Sequence, residues 1–258
     1  WFDHCLKGES FEWLEQPPVR LFVMGENRWR YEDEWPLERA VATPLYLSSA
    51  GGANGRHGDG ILAWQQPAGT PPDQFTYDPA DPVRTHGGAL CCWAPALPPG
   101  AYDQRQIEER PDVLVYTSEP LGEPIEVTGS IRVVVYAATS AVDTDWTAKL
   151  VDVGPCGYAR NLCDGIVRAR MRDPQNPTLV TPGEVVRYEI ELGPTSNVFL
   201  AGHAVRLEIS SSNFPRFDRN LNTGVSSAIS ADMVAAQQTV YHDASCPSHI
   251  VLPVVPRS

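Results

Sequence analysis

Along most of the chain, apolar and polar residues alternate with a period of two. Val186, Tyr188, Ile190 and Leu192 interleave with Arg187, Glu189 and Glu191. Val205, Leu207 and Ile209 interleave with Arg206, Glu208 and Ser210, and Val167, Ala169 and Met171 with Arg168, Arg170 and Arg172. This pattern predicts strands with one dry and one wet face. Shorter runs predict further strands at 44–48, 60–64, 74–77, 113–117, 124–128, 131–137, 146–153, 197–200, 238–242 and 249–255. Between Leu150 and Val151 the apolar phase flips, which predicts a bulge. Clusters of Gly, Pro, Asn and Asp separate the runs, and only 228–237 suits another short helix. Many short antiparallel strands without repeats predict a mainly β fold, a β-sandwich of jelly-roll type.

The first 40 residues carry a different pattern. Residues 1–8 read as the end of a helix, with Trp1/Cys5 and Phe2/Leu6 as i,i+4 pairs and Gly8 placed to terminate it. In Val19-Arg-Leu-Phe-Val-Met-Gly25, Leu21 and Val23 point one way and Phe22 and Met24 the other. A strand apolar on both faces belongs to a sheet covered on both sides, as in a parallel α/β sheet. The chain opens at Trp1, so the expectation is a piece of a longer protein. The longest irregular stretches, 49–59, 79–112 and 211–230, are where contacts to ligands or another domain are expected.

Composition narrows the function. Pro accounts for 24 of 258 residues, above the usual ~5%, which suits turns rather than long helices. Acids outnumber bases 32 to 20 for a net charge of −12. That balance disfavours nucleic acid and anionic membrane as partners. No apolar run approaches the ~20 residues of a spanning helix. The six cysteines lack C-x-x-C spacing. They read as free buried thiols, with a Cys156–Cys163 bridge as the alternative.

No catalytic constellation emerges from the residues. G-x-S-x-G is absent, and Ser49 reads as a turn serine. No histidine pair has H-E-x-x-H spacing. His4 reads as a packed or partly exposed helix histidine. His242 and Asp243 point to different sides of a strand, so they imply no dyad. Asp143-Thr-Asp145 resembles the start of a calcium loop but lacks the remaining ligands, and reads as a turn capped by its own carboxylates. Asp78 and Asp81 likewise read as turn residues. Trp13, Trp29, Trp35, Trp64 and Trp93 suit either sugar stacking or a domain interface. The arginine row 168/170/172 is expected to pair with Glu189 and Glu191 across the sheet. No cofactor and no metal site is expected.

Several stretches together carry a family resemblance. They are Trp1-Phe-Asp-His-Cys-Leu-Lys-Gly8, Val19 to Gly25 with Trp29-Arg30, Tyr77-Asp-Pro-Ala-Asp-Pro-Val83 with Gly87-Gly88, and Asp103-Gln-Arg105. Asp143 to Val153, Asn161 to Arg168, Ser210 to Asn220 and Pro247 to Pro253 complete the set. The chain resembles the C-terminal part of the cocaine esterase and X-Pro dipeptidyl-peptidase type of serine hydrolases. The resemblance implies a catalytic triad upstream of Trp1, so no catalytic residue falls in this chain. It implies that residues 1–40 end an α/β-hydrolase domain and that 41–258 form a galactose-binding-like jelly roll. That jelly roll would pack on the hydrolase domain, its partner, and close one side of the cleft. Leu90, Cys91, Cys92 and Trp93 would lie nearest the substrate. Relatives tend to carry bulky apolar residues there, and Cys91-Cys92 departs from that pattern, as Cys5 does from a frequent aromatic. The severed α/β remnant predicts an exposed apolar patch and self-association through it. Two other readings are a free-standing carbohydrate-binding jelly roll, and an unusual hydrolase built from His4 or His242 with a loop serine.

Overall fold

The computed structural model describes residues 1–90 and 97–256. In chain order it holds α1 (Phe2–Lys7), β1 (Val19–Val23), β2 (Arg28–Glu32), β3 (Val41–Ser48), β4 (Ile61–Ala63) and β5 (Asp73–Tyr77). Then come β6 (Leu114–Thr117), β7 (Ile125–Thr139), β8 (Asp145–Val153), β9 (Ala159–Arg168) and β10 (Val186–Phe199). β11 (Ala204–Ser210), β12 (Ala236–Tyr241) and β13 (His249–Val255) close the list. Apart from the β1–β2 pair, the strands join one rolled sheet in the order β5-β12-β7-β13-β3-β4-β6-β11-β8-β9, with β10 also on β7. Only β4–β6 is a parallel contact among them.

The sheet folds over on itself into the expected jelly-roll sandwich. Trp146 of β8 shows why the two halves stay together. Its buried ring meets Phe75 of β5 edge-on at 6.3 Å and Tyr188 of β10 at 5.9 Å. Leu45, Leu47, Val133, Val135, Ile190 and Leu207 fill the same core. β5 follows strict alternation of buried and exposed residues, as its sequence predicts. β8 is buried at every position. Its outer face is covered because a 3-10 turn, Gln104–Glu109, lies over it, with Gln104 accepting from Lys149 at 2.7 Å. A register shift falls between Leu150 and Val151 where a bulge is expected, but the extra residue is Leu162 on β9, while β8 keeps its register with β11.

Two predicted breaks are not breaks. Residues 124–128 and 131–137 form a single strand, β7, through Gly129. Gly129 adopts φ +142°, and a Cβ there would meet the Pro253 ring at 3.0 Å. Pro253 has no N–H to give, and β13 slips its register on β7 at this point. Glycine thus marks a close approach between strands. Similarly, 186–192 and 197–200 join as β10 through a register shift at Gly193. No helix forms at 228–237, where Asn222 donates to the Val234 carbonyl at 2.7 Å and β12 already begins at Ala236. The strand predicted through 167–172 ends at Arg168, and Ala169–Met171 is a 3-10 turn.

At Gly165 of β9 the backbones of β9 and β10 nearly touch. A Cβ there would sit 2.0 Å from the Glu191 carbonyl oxygen. Gly165→Ala is expected to cost about 2–3 kcal/mol by forcing the strands apart. Urea denaturation checks it, and an unchanged midpoint would contradict this packing.

The N-terminal segment differs from its expected setting. β1 pairs antiparallel with β2 alone, Val19 opposite Glu32 and Val23 opposite Arg28. The parallel, doubly covered sheet is not formed within the described residues: Phe22 is 41% exposed. α1 ends as predicted, with Gly8 at φ +72° and its N–H bonded to the His4 carbonyl. The hairpin is tied to the sandwich at its turn. Met24 N–H donates to Ser196 O at 3.0 Å, and Val198 N–H donates to Met24 O at 2.8 Å. Gly25, at φ +83°, passes so close that a Cβ would lie 2.2 Å from Val198 O. Arg30 reaches Glu126 of β7 at 2.8 Å and Glu32 at 2.6 Å.

The described cysteines are free as expected, so the alternative Cys156–Cys163 bridge is not formed, but Cys5 and Cys156 are exposed rather than buried. Cys163 is part-buried, and burial pushes its thiol up to about 12. No described helix is long and apolar enough to cross a membrane.

Candidate functional site

Ser49, Asp73 and His242 meet, which the sequence did not reveal because they lie on β3, β5 and β12 ends far apart in the chain. Ser49 donates to Asp73 Oδ2 at 2.8 Å, and His242 Nε2 lies 2.8 Å from the same oxygen. The residue types are those of a serine hydrolase, but the wiring is different. A catalytic relay needs the carboxylate on one ring nitrogen and the hydroxyl on the other. Here Nε2 faces both Asp73 and Ser49, the latter at 3.1 Å, while Nδ1 faces Thr70 Oγ1 at 2.6 Å. The Ser49 proton is directed at the carboxylate rather than the imidazole. His242 is fully buried and Ser49 nearly so, so no substrate carbonyl reaches them. Tyr116 OH and the Ala53 N–H also donate to Asp73, at 2.7 and 2.9 Å. Burial pushes the Asp73 carboxyl up, but the bonds led by His242 outweigh it and hold it below the ordinary range. This is a structural knot joining the 49–53 loop to β5, β6 and the end of β12. The reading of a hydrolase assembled from His242 and a loop serine fails on that geometry. His4 offers nothing better, since its Nδ1 sits 2.8 Å from the Glu9 carbonyl beside Trp13.

The acidic pair 143/145 is not a self-capped turn. Arg168 donates to both Asp145 oxygens at 2.8 and 3.0 Å. Asp143 accepts the Arg170 N–H at 3.0 Å, and Asn220 bridges both carboxylates at 3.2 and 2.9 Å. Arg172 instead serves the Thr178 carbonyl. The arginine row therefore does not pair with Glu189 and Glu191; the turn at 169–171 sends its members in different directions. Glu189 pairs with Arg187 and Arg132. With both aspartates committed to guanidinium groups, calcium has no free carboxylate here. Among the described residues no cluster of His, Cys, Asp and Glu is arranged to hold a metal. Asp78 behaves as expected, capping the Ala80 N–H at 2.9 Å.

The segment singled out by resemblance sits on a loop closed at its base by glycines. Gly88 and Gly100 exchange both backbone bonds, at 2.7 and 3.0 Å. Gly87 adopts φ +74°, and a Cβ there would strike Gly100 O at 2.5 Å. Only glycine allows the two ends of the loop to approach this closely. Leu90 is half-buried just inside the closure, its N–H bonded to Gly88 O at 2.9 Å. Cys91, Cys92 and Trp93 lie outside the described residues. The far end of the loop is fixed to the sandwich by Asn161, which accepts the Tyr102 N–H at 2.6 Å. Gln104 secures it further by donating to the His86 and Tyr102 carbonyls and accepting from Lys149. Sequence reading missed Lys149 because a lysine in a strand reads as solvent-facing.

Aromatic exposure is concentrated at the N-terminus. Trp1, Phe2, Leu6 and Trp29 are 74, 75, 79 and 59% exposed, and Trp13 and Trp35 about 40%. Trp13 stacks between Trp1 and Phe11. On the sandwich itself only Trp64, at 45%, is comparable among the described tryptophans. Such a face is unusually apolar for a free surface.

A jelly-roll sandwich whose Ser49–Asp73–His242 cluster is spent on structure, with an apolar flank at its N-terminus, is the form of an accessory domain. Comparison with known proteins agrees. Residues 12–251 match the X-Pro dipeptidyl-peptidase C-terminal non-catalytic domain, and the chain belongs to that family. It is 46% identical over 259 residues to the cocaine esterase of Rhodococcus sp. (strain MB1 Bresler), covering 99% of this chain and 45% of that protein. An aminopeptidase structure from a Thaumarchaeota archaeon superposes with a TM-score of 0.84 at 31% identity, over 99% of this chain and 43% of that one. An alpha-amino acid ester hydrolase structure gives 0.83 at 31% identity, over 98% and 43%. The chain thus spans under half the length of the relatives it matches.

Proposed function

We propose that the chain is the C-terminal accessory domain of a serine ester/amide hydrolase, with residues 1–40 closing its α/β-hydrolase domain and 41–258 forming the jelly roll. The apolar exposure of the N-terminal segment carries this reading: Trp1, Phe2 and Leu6 of α1 and the paired rings of Phe22 and Trp29 are exposed, and the rest of an α/β-hydrolase domain would cover them. Burying such residues stabilises by about 1.5–3 kcal/mol each, enough to hold two domains together. The loop of residues 88–100, with Leu90, Cys91, Cys92 and Trp93, would then shape one side of the cleft. The chain would contribute shape and water exclusion, and the partner domain the nucleophile.

The test treats the 258-residue chain and its full-length parent with a fluorophosphonate probe and follows both by sedimentation. The parent is expected to label on one serine upstream of Trp1. The chain alone is expected to remain unlabelled and to self-associate through its apolar flank. Stoichiometric labelling of a serine within the chain would overturn the proposal.

A further inference from the structure

A cleft of about 410 Å³ opens between residues 80–85 and 214–219, beside Leu97. That volume lies within the ~300–1,000 Å³ of small-molecule sites. Its floor is rigid. Thr85 N–H donates to Phe214 O at 2.7 Å and Phe214 N–H to Val83 O at 2.9 Å, so Arg84 and Phe214 oppose each other across a parallel bridge. Paired residues of a bridge project to the same side, which sets the Arg84 side chain beside the Phe214 ring.

The charges in this cleft are unusual for the molecule. Most arginines here are paired to carboxylates, among them Arg30, Arg110, Arg168, Arg206 and Arg216. Arg84 is exposed and has no side-chain hydrogen bond or ion pair with any described residue. Arg219 donates to the Pro79 carbonyl at 3.0 Å and lies 5.7 Å from the Phe214 ring centroid. It too lacks a carboxylate partner among the described residues. The one acid on the lining, Asp81, is drawn outward to Arg110 at 3.3 Å. In a chain of net charge −12, the Arg84 guanidinium, and that of Arg219 held by the Pro79 carbonyl beside the Phe214 ring, form a local positive site with no carboxylate paired to either among the described residues. Of the remaining lining, Pro82, Pro215 and Leu97 offer no side-chain donor or acceptor, and the Thr85 hydroxyl already accepts the Arg216 N–H at 3.1 Å.

We propose that this cleft binds a small carboxylate with a flat apolar body. Arg84 would hold the carboxylate by a two-pronged, charge-assisted pair, and the ring of Phe214 with the prolines would take the flat body. The site is built wholly from described residues of this chain and does not depend on the parent's chemistry.

Phenylacetate is a suitable probe, followed by NMR shift perturbation or calorimetry on the 258-residue chain. Phenylacetamide keeps the ring without the charge, and inorganic phosphate keeps an anion without the ring. Phenylacetate is expected to bind saturably, with shifts at 80–85 and 214–219. Both controls should bind about tenfold or more weakly, as should phenylacetate to Arg84→Gln, the loss expected for one charge-assisted contact. Because Arg84 makes no structural bond, R84Q should unfold at the wild-type temperature. R84K should fall between the two, keeping charge but losing the planar fork. Three results would each overturn the assignment: no saturable phenylacetate binding, binding undiminished in R84Q, or phosphate binding as well as phenylacetate.

Discussion

Asp73→Ala is expected to destabilise the chain by on the order of 5 kcal/mol, which is comparable to the whole stability of a marginal domain. The carboxylate accepts from Ser49, Tyr116, His242 and the Ala53 N–H, all within 2.7–2.9 Å. Asp73 is fully buried, as are Tyr116 and His242, so water cannot replace the lost acceptor. Each donor left unpaired costs about 1–3 kcal/mol, in addition to the cavity. Ser49→Ala removes a single donor and should cost only about 1 kcal/mol. The ratio separates a structural knot from a catalytic one. A knot centred on the carboxylate makes Asp73 dominant in urea midpoints, with Ser49 minor and neither variant changing any hydrolysis by the chain. A near-wild-type midpoint for Asp73→Ala would show that the four bonds are not what holds β5, β6 and the 49–53 loop together.

The same knot shows where reading the sequence reaches its limit. Period-two alternation is a local property, so β5 and the first half of β10 are legible residue by residue, whereas on β11 Glu208 and Ser210, expected on a wet face, are buried. The irregularity at Leu150/Val151 is legible too, because one misplaced apolar step betrays it, although the extra residue, Leu162, lies on the partner strand β9. The order of strands in a sheet is not local. Ser49 and His242 are 193 positions apart, and no spacing rule connects them. The sequence pairs the 168/170/172 arginine row with Glu189 and Glu191 because it does not show which strand lies beside β9; that neighbour is β8, and Asp145 is the carboxylate of Arg168. The expected break between 124–128 and 131–137 falls at Gly129, because glycine signals both a turn and a close approach, and only Pro253 on a distant strand decides between them. The loop of residues 88–100 became visible through family resemblance rather than through its own chemistry. What marks it physically, the Gly88–Gly100 closure, requires knowing that two glycines twelve apart face each other.

Glu108→Gln is expected to stabilise the chain above neutral pH and to remove most of a pH dependence present in the wild type. Glu108 lies on the Gln104–Glu109 turn and is fully buried against Glu208 of β11. Arg206 donates to Glu108 Oε2 at 2.6 Å, and Lys149 to Glu208 Oε2 at 3.0 Å. The Oε1 atom of each glutamate is buried without a partner. Two carboxylates with unpaired oxygens in hydrogen-bonding reach are relieved by holding one proton between them. Burial is the main force raising the Glu108 carboxyl, to about 7; the Glu208 charge adds to it and Arg206 opposes it. A carboxyl raised in the folded state contributes its full stability below its unfolded value, near 4.5. That contribution is lost as pH rises through about 7, a loss on the order of 3 kcal/mol by pH 8. An amide cannot ionise, yet its oxygen still accepts from Arg206 and its NH₂ can serve the unpaired Glu208 oxygen. Urea midpoints from pH 5 to 9 should therefore fall for the wild type and stay nearly level for E108Q, the two curves meeting near pH 5. Parallel curves would place the proton elsewhere. Because this turn is held to Lys149 and Arg206, the far end of the 88–100 loop should loosen with it. Hydrogen exchange of the 104–109 amides should then lose protection from pH 6 to 8 in the wild type and keep it in E108Q.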